Sequence, residues 1–181
     1  MENLINFINE YKSKYGKKSF LLGSYVYNKL LKNIDDYEDI DIIVNDVDLF
    51  YDLMKKKFND CMLLSGRVGE YSYYSWIKVK CANFDKTINV LDKIDHDSLI
   101  NQRDRRLFDF QRILYDGKDF STFDKELNLQ QVIDDYKNNL YCYQPLNLRD
   151  KDKNRFNLQR KNFIKCWRDN CVFKKNLKSY K

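Results

Sequence analysis

The sequence predicts an α+β fold, a mixed β-sheet packed on helices and followed by a small basic helical extension, and three observations carry the prediction. Segments of helical spacing alternate with short apolar runs through the first part of the chain. A period-two segment then turns back on itself through Asn83-Phe84-Asp85 as a hairpin. Charge is also split: residues 142–181 hold eight Lys and four Arg against three Asp, 12 − 3 = +9, so within a net +6 the preceding 141 residues carry 6 − 9 = −3. The core is predicted over 1–117 and the basic extension over 118–181.

Leu4, Ile5, Phe7, Ile8 and Tyr11 repeat at helical spacing until Gly16 stops them, which gives an amphipathic lead helix over 4–15. Residues 18–22 form a short strand, 25–32 a helix, and 34–38 an acidic loop that delivers the chain to a strand over 39–44. Asp46 or Asp48 caps a helix through Phe58, and residues 61–64, with Gly66 and Gly69, read as an irregular connection. The hairpin follows, 71–81 outward and 87–91 back. An arginine-rich helix over 97–110 carries Arg103, Arg105 and Arg106, and a strand over 112–115 ends at Asp116-Gly117, where the core closes. Residues 124–141 and 150–178 are predicted helices separated by a turn at Pro145. For Tyr71, Tyr73, Tyr74 and Trp76, packing within the hairpin is favoured over stacking on bases. Phe156, Phe163, Trp167 and Phe173 fall near helical spacing and read as a buried helix face.

With 43% hydrophobic and 15% aromatic residues in 181, the chain can bury one sizeable core, and its charged residues then belong to a solvated surface. The five cysteines, Cys61, Cys81, Cys142, Cys166 and Cys171, form no C-x-x-C pair and follow no signal-peptide pattern. They are expected as thiols in a reducing, cytoplasmic setting. His96, the only histidine, lies between Asp95 and Asp97 in a polar turn, which disfavours zinc. No apolar run approaches the roughly 20 residues that span a bilayer, so no membrane partner is expected. An acidic front and a basic tail suit chemistry in one part and a polyanion held by the other, while a solvated basic helix explains the tail equally well.

The residues that carry chemistry converge on two short stretches. In a strand, alternate side chains share a face, so Asp39 and Asp41 project together while Ile40, Ile42 and Val44 enter a core. Two adjacent carboxylates need a cation or a shared proton, and hard oxygen ligands suit Mg2+ or Mn2+. Upstream, Gly23-Ser24 ends an apolar strand and opens a helix, an arrangement that offers backbone N–H groups to a phosphate. In the return strand Thr87, Asn89 and Leu91 share one face and Ile88, Val90 and Asp92 the other. With Ile88 and Val90 in the core, Asn89 points toward the aspartates; Asp92 reaches them only through a bulge or at the strand end.

Strand, Gly23-Ser24, helix and Asp39-x-Asp41, in that order, resemble the nucleotidyltransferase superfamily that includes DNA polymerase β, poly(A) polymerases, CCA-adding enzymes and minimal nucleotidyltransferases. The likeness covers about residues 18–117. GSYVYNKLLKN…DIDIIV is also similar to the GGxVRDxLLG…DxD signature of CCA-adding and bacterial poly(A) polymerases, with Tyr27 and Asn28 in place of Arg-Asp. The resemblance implies that Asp39 and Asp41 are catalytic and bind Mg2+ (or Mn2+), that Gly23 and Ser24 hold the phosphates of an NTP such as ATP, and that a nucleoside monophosphate passes to a hydroxyl acceptor. Asn89 stands where the family often has a further acid. Arg103 and Arg106, with Arg67 and Lys78, are candidate cations for the triphosphate.

Three functions are weighed on this basis. The first is a metal-dependent nucleotidyltransferase acting on nucleic acid, RNA first, with a protein hydroxyl as another acceptor. A catalytically degenerate member that binds nucleic acid through residues 142–181 is the alternative. A DxD glycosyltransferase ranks last, because the 38 residues ahead of Asp39 are too few for a nucleotide-sugar fold.

Overall fold

A computed structural model describes residues 1–29, 37–67, 76–92, 109–122, 127–138, 140–143 and 172–175. Helix α1 (Glu2–Tyr15) buries the stripe Leu4, Phe7, Ile8 and Tyr11 and ends where Gly16, at φ 62, takes the left-handed turn and donates its N–H to Lys12 O. Strand β1 (Ser19–Leu22) leads through Gly23 into α2 (Ser24–Tyr27), whose coil widens at Asn28 and Lys29; residues 30–36, the rest of the predicted helix and most of the acidic loop, lie outside the described residues. Strand β2 (Ile40–Val44) follows, then α3 (Val47–Lys57). Asp46 caps α3 by accepting the Leu49 N–H at 3.1 Å, one of the two caps the sequence offered.

Strands β3 (Met62–Arg67), β4 (Trp76–Lys80), β5 (Ile88–Asp92), β6 (Ile113–Tyr115) and β7 (Phe120–Thr122) complete a seven-stranded sheet in the order β3-β4-β5-β2-β1-β6-β7. Neighbours run antiparallel except β2 and β5, which are parallel, so the sheet is mixed as expected. The hairpin is present in β4 and β5. One sheet face carries Ile40, Ile42, Val44, Ile77, Val79, Ile88 and Val90 into the main core, where they meet α1 and α3. Phe7 sits at the centre of that layer, edge-on to Phe50 and Phe58 at 5.1 and 5.3 Å. Among the described residues the other face carries a smaller cluster, Leu22, Ile43 and Leu114 with Phe20 and Leu91. Among the described residues the β4 side of that face, where Trp76 is exposed and Lys78 half-buried, is left open.

Several expectations give way. Residues 62–67 are not an irregular connection but the edge strand β3, paired with β4 through a bulge between Leu63 and Ser65. Gly66 makes the pairing possible: a Cβ there would strike Trp76 O and lie 2.8 Å from Ile77 Cα. Cys61 and Cys81, expected as thiols, form a disulfide at the base of that strand pair. The sheet passes the boundary at 117, since β7 pairs with β6, and helix α4 (Leu129–Lys137) sends Val132 and Tyr136 into the main core. Neither long helix predicted toward the C-terminus is continuous. The first ends at Asn138 and gives way to β8 (Leu140–Tyr143); the second contains β9 (Val172–Lys175), parallel to β8. Both strands lie in runs of aromatic and branched residues, which favour extended backbone. Residues 109–112, the end of the predicted arginine-rich helix and its junction, form a 3-10 turn. The predicted helix itself, Tyr71, Tyr73 and Tyr74, and the tail aromatics apart from Phe173 fall outside the described residues.

Candidate active site

On the open face, the parallel register sets Asp41 opposite Asn89, and the antiparallel register sets Asn89 opposite Lys78. Asp39 lies just ahead of β2, where the Ile40 N–H already bonds Thr87 O at 3.0 Å and holds the backbone in line with β5. The Asn89 side-chain amide donates from Nδ2 to Asp39 Oδ2 at 2.7 Å and to Asp41 Oδ1 at 3.0 Å. One donor thus gathers two carboxylates. Charge-assisted hydrogen bonds offset the repulsion that would otherwise drive the pair apart.

Asp41 is confined from its other side by β1. Leu22 pairs with it across the sheet, and Gly23 follows with φ 78 and ψ −155, a region essentially reserved for glycine. A Cβ on Gly23 would collide with Asp41 Oδ2, so glycine is required both by the turn and by the carboxylate beside it. The structure therefore brings Gly23, Asp39, Asp41 and Asn89 together, with Ser24 opening α2 next to them. Lys78 joins the same face, one strand beyond Asn89. Arg103 and Arg106 fall outside the described residues, and Arg67 is described by its backbone, opposite Trp76.

Asp92 does not swing round to the site. It lies at the far end of β5, where its Oδ1 accepts the Asp46 N–H at 3.0 Å at the start of α3. Tyr11 donates its hydroxyl to Asn45 O nearby. Burial, then the carboxylates of Asp46 and Asp92, push the Tyr11 hydroxyl upward, and burial with Asp46, Asp92 and Asp52 does the same to Asp48. These acids organise the β2–α3 corner behind the sheet.

Among the described residues no group of three His, Cys, Asp or Glu side chains could hold a metal ion. Two carboxylates within reach of one amide nevertheless fit Mg2+ or Mn2+, which are commonly bound by one or two carboxylates together with substrate phosphates. Glycine at position 23 keeps a side chain of its own off Asp41 Oδ2. No helix among the described residues is long and apolar enough to cross a membrane.

No protein-family model matches the chain. No curated protein matches it either. Solved structures do. The Thermotoga maritima CCA-adding enzyme complexed with tRNA superposes with a TM-score of 0.64 at 15% identity, over 96% of this chain and 39% of that one. A CCA-adding enzyme with ATP gives 0.60 at 16% identity, over 94% and 39%, and one with CTP gives 0.60 at 14%, over 96% and 40%. The chain spans about two-fifths of the length of these relatives. Over that span it shares the fold of the CCA-adding enzymes.

Proposed function

We propose that this chain is a Mg2+- or Mn2+-dependent nucleotidyltransferase that moves a nucleoside monophosphate from an NTP to a hydroxyl acceptor, with RNA as the acceptor class. The observation that supports it is the carboxylate pair Asp39 and Asp41, gathered by Asn89 beside the Gly23 turn. In the reaction the acceptor hydroxyl loses its proton, its oxygen bonds to the α-phosphorus, and the bond to the bridging oxygen breaks to release pyrophosphate. Asp39 and Asp41 would hold the divalent ions, which would supply positive charge beside the hydroxyl and the leaving group. Asn89 holds the two carboxylates at one spacing, so little reorganisation is needed when substrate arrives. Gly23 and Ser24 border the triphosphate, and Arg103 and Arg106 are the candidate cations for it.

CCA-adding enzymes of the same fold have been seen with ATP, with CTP and with tRNA, which supports NTP and RNA as the partner classes. A protein hydroxyl as acceptor has no such support. The basic residues 142–181 are assigned to the nucleic acid. The test is incubation with each labelled NTP, Mg2+ or Mn2+, and a pool of RNA, DNA and protein acceptors. Metal-dependent label transfer to RNA is expected; absence of transfer to every acceptor would reject the enzyme.

A second reading, a catalytically degenerate member that binds nucleic acid through its tail, is favoured by one observation. The third position is an amide, and no third acid joins the pair among the described residues. That reading predicts no transfer, together with RNA binding that falls steeply with salt and is lost on truncation after Tyr141.

A further inference from the structure

The open face of the sheet continues past the carboxylates, through Asn89 on β5, onto β4. Along β4 the residues alternate: Ile77 and Val79 are fully buried, while Trp76, Lys78 and Lys80 face the open side. Lys80 is committed, donating to Phe84 O at 2.7 Å in the hairpin turn. Lys78 makes no ion pair or hydrogen bond among the described residues. Trp76, two residues along the strand and opposite Leu91, is 41% exposed although it is among the largest apolar side chains in the protein. Packing within the hairpin, which the sequence favoured for it, does not account for that exposure.

From this juxtaposition we infer that Trp76 and Lys78 form a platform for single-stranded nucleic acid, on which the acceptor strand lies as its end approaches Asp39 and Asp41. The inference rests on the nucleotidyltransferase reading and adds the surface that receives the acceptor. An exposed indole offers a face to any base, and an uncommitted ammonium beside it offers a partner to the phosphate, the combination by which proteins hold single strands without reading sequence. The charge pattern sets polarity: the cation lies on β4, away from the acidic pair on β2, with neutral Asn89 between them. A phosphate backbone is thereby drawn to β4 and kept off the carboxylates. Two strand spacings separate Lys78 from Asp41, roughly 10 Å, short enough for a strand ending at the carboxylates to lay a preceding base on Trp76.

The test uses the full chain with a fluorescein-labelled, unstructured oligoribonucleotide, its deoxy counterpart and its duplexed form, in EDTA and without NTP, followed by anisotropy. Trp76 emission is read separately in a Trp167→Phe background, since the chain has two tryptophans. Single strands of both kinds are expected to bind and to quench Trp76, and the duplex to leave its emission unchanged. Trp76→Ala should weaken binding about 5-fold or more, Trp76→Phe should retain most of it, and Lys78→Gln should flatten its salt dependence. Binding unchanged in both Trp76→Ala and Lys78→Gln, or unquenched Trp76 emission on saturation, overturns the platform. Because metal and NTP are absent, these outcomes are independent of label transfer: transfer that persists undiminished in Trp76→Ala would leave the enzyme intact and reject the platform alone.

Discussion

Replacing Asn89 isolates what the amide does for the two aspartates. In Asn89→Ala both hydrogen bonds, at 2.7 and 3.0 Å, disappear and the two carboxylates lose the amide that gathers them. Hydrogen bonds to charged groups contribute about 1.5–3 kcal/mol each when shielded. All three residues here are only partly buried, so water replaces part of the loss and a total of about 1–2 kcal/mol is expected. Asn89→Asp goes further, exchanging the donor for a third negative charge at hydrogen-bond distance. Coulomb repulsion at about 3 Å and an effective dielectric of about 20 sets an upper bound near 5 kcal/mol per pair, which solvent reduces to an expected loss of about 2–4 kcal/mol in EDTA. A divalent ion reverses the sign, because three carboxylates bind it better than two. At a free Mn2+ concentration about 100 times the dissociation constant, binding returns about 2.7 kcal/mol. Thermal unfolding by circular dichroism reads both effects, at about 2–4 °C per kcal/mol for a chain of this size. Asn89→Asp should melt below wild type in EDTA and gain more from Mn2+ than wild type does. An Asn89→Asp protein that melts with wild type in EDTA and responds equally to Mn2+ would refute the placement of Asn89 against both carboxylates.

Other parts of the fold give independent checks. Gly23→Ala forces a side chain into a glycine-only conformation and onto Asp41 Oδ2; a loss of about 1–3 kcal/mol in urea unfolding is expected, with weakened Mn2+ binding, and an unchanged midpoint would contradict the geometry. Asp116 is pushed up by burial, but the Asp119 N–H, the Lys12 ammonium at 2.8 Å and the Lys118 N–H together hold it below the usual carboxylate range. A depressed folded value means that its stabilisation is present above the unfolded value of about 3.9 and is lost as pH falls through the folded one. Lys12→Met should therefore cost about 1 kcal/mol at neutral pH, and most of that difference should vanish in strong acid; a gap constant with pH would deny the pairing. Peptide mapping without reductant should recover Cys61 joined to Cys81, and two free thiols at these positions would reject the bond.

The part of the fold that positions the site was legible because it is written in period two. Ile40, Ile42 and Val44 alternate with the aspartates, and Ile88 and Val90 alternate with Asn89, so each strand declares which side is core. Aligning the two strands side by side then brings Asn89 to Asp41. Strand β3 has no such alternation. Met62, Leu63 and Leu64 run consecutively and are all exposed, the bulge shifts the register between Leu63 and Ser65, and Gly66 looks like a breaker until Trp76 O is placed beneath it. The disulfide was hidden for the same reason, since Cys61 has no cause to meet Cys81 unless β3 pairs with β4. Lys78 was among the candidate cations but had no location until the hairpin register set it opposite Asn89. Strands β8 and β9 depend on a parallel pairing between distant segments, a contact that no local pattern encodes. In the sequence, aromatic residues near helical spacing outweighed them.

The central claim is that Asp39 and Asp41 together carry nucleotidyl transfer, and it is tested most directly by label transfer from NTP to RNA in wild type, Asp39→Ala and Asp41→Ala under Mg2+ and Mn2+. Wild type should transfer label only with metal, and each variant should lose the activity while keeping its affinity for RNA. Transfer that survives in either variant, or that proceeds equally in EDTA, would contradict the account.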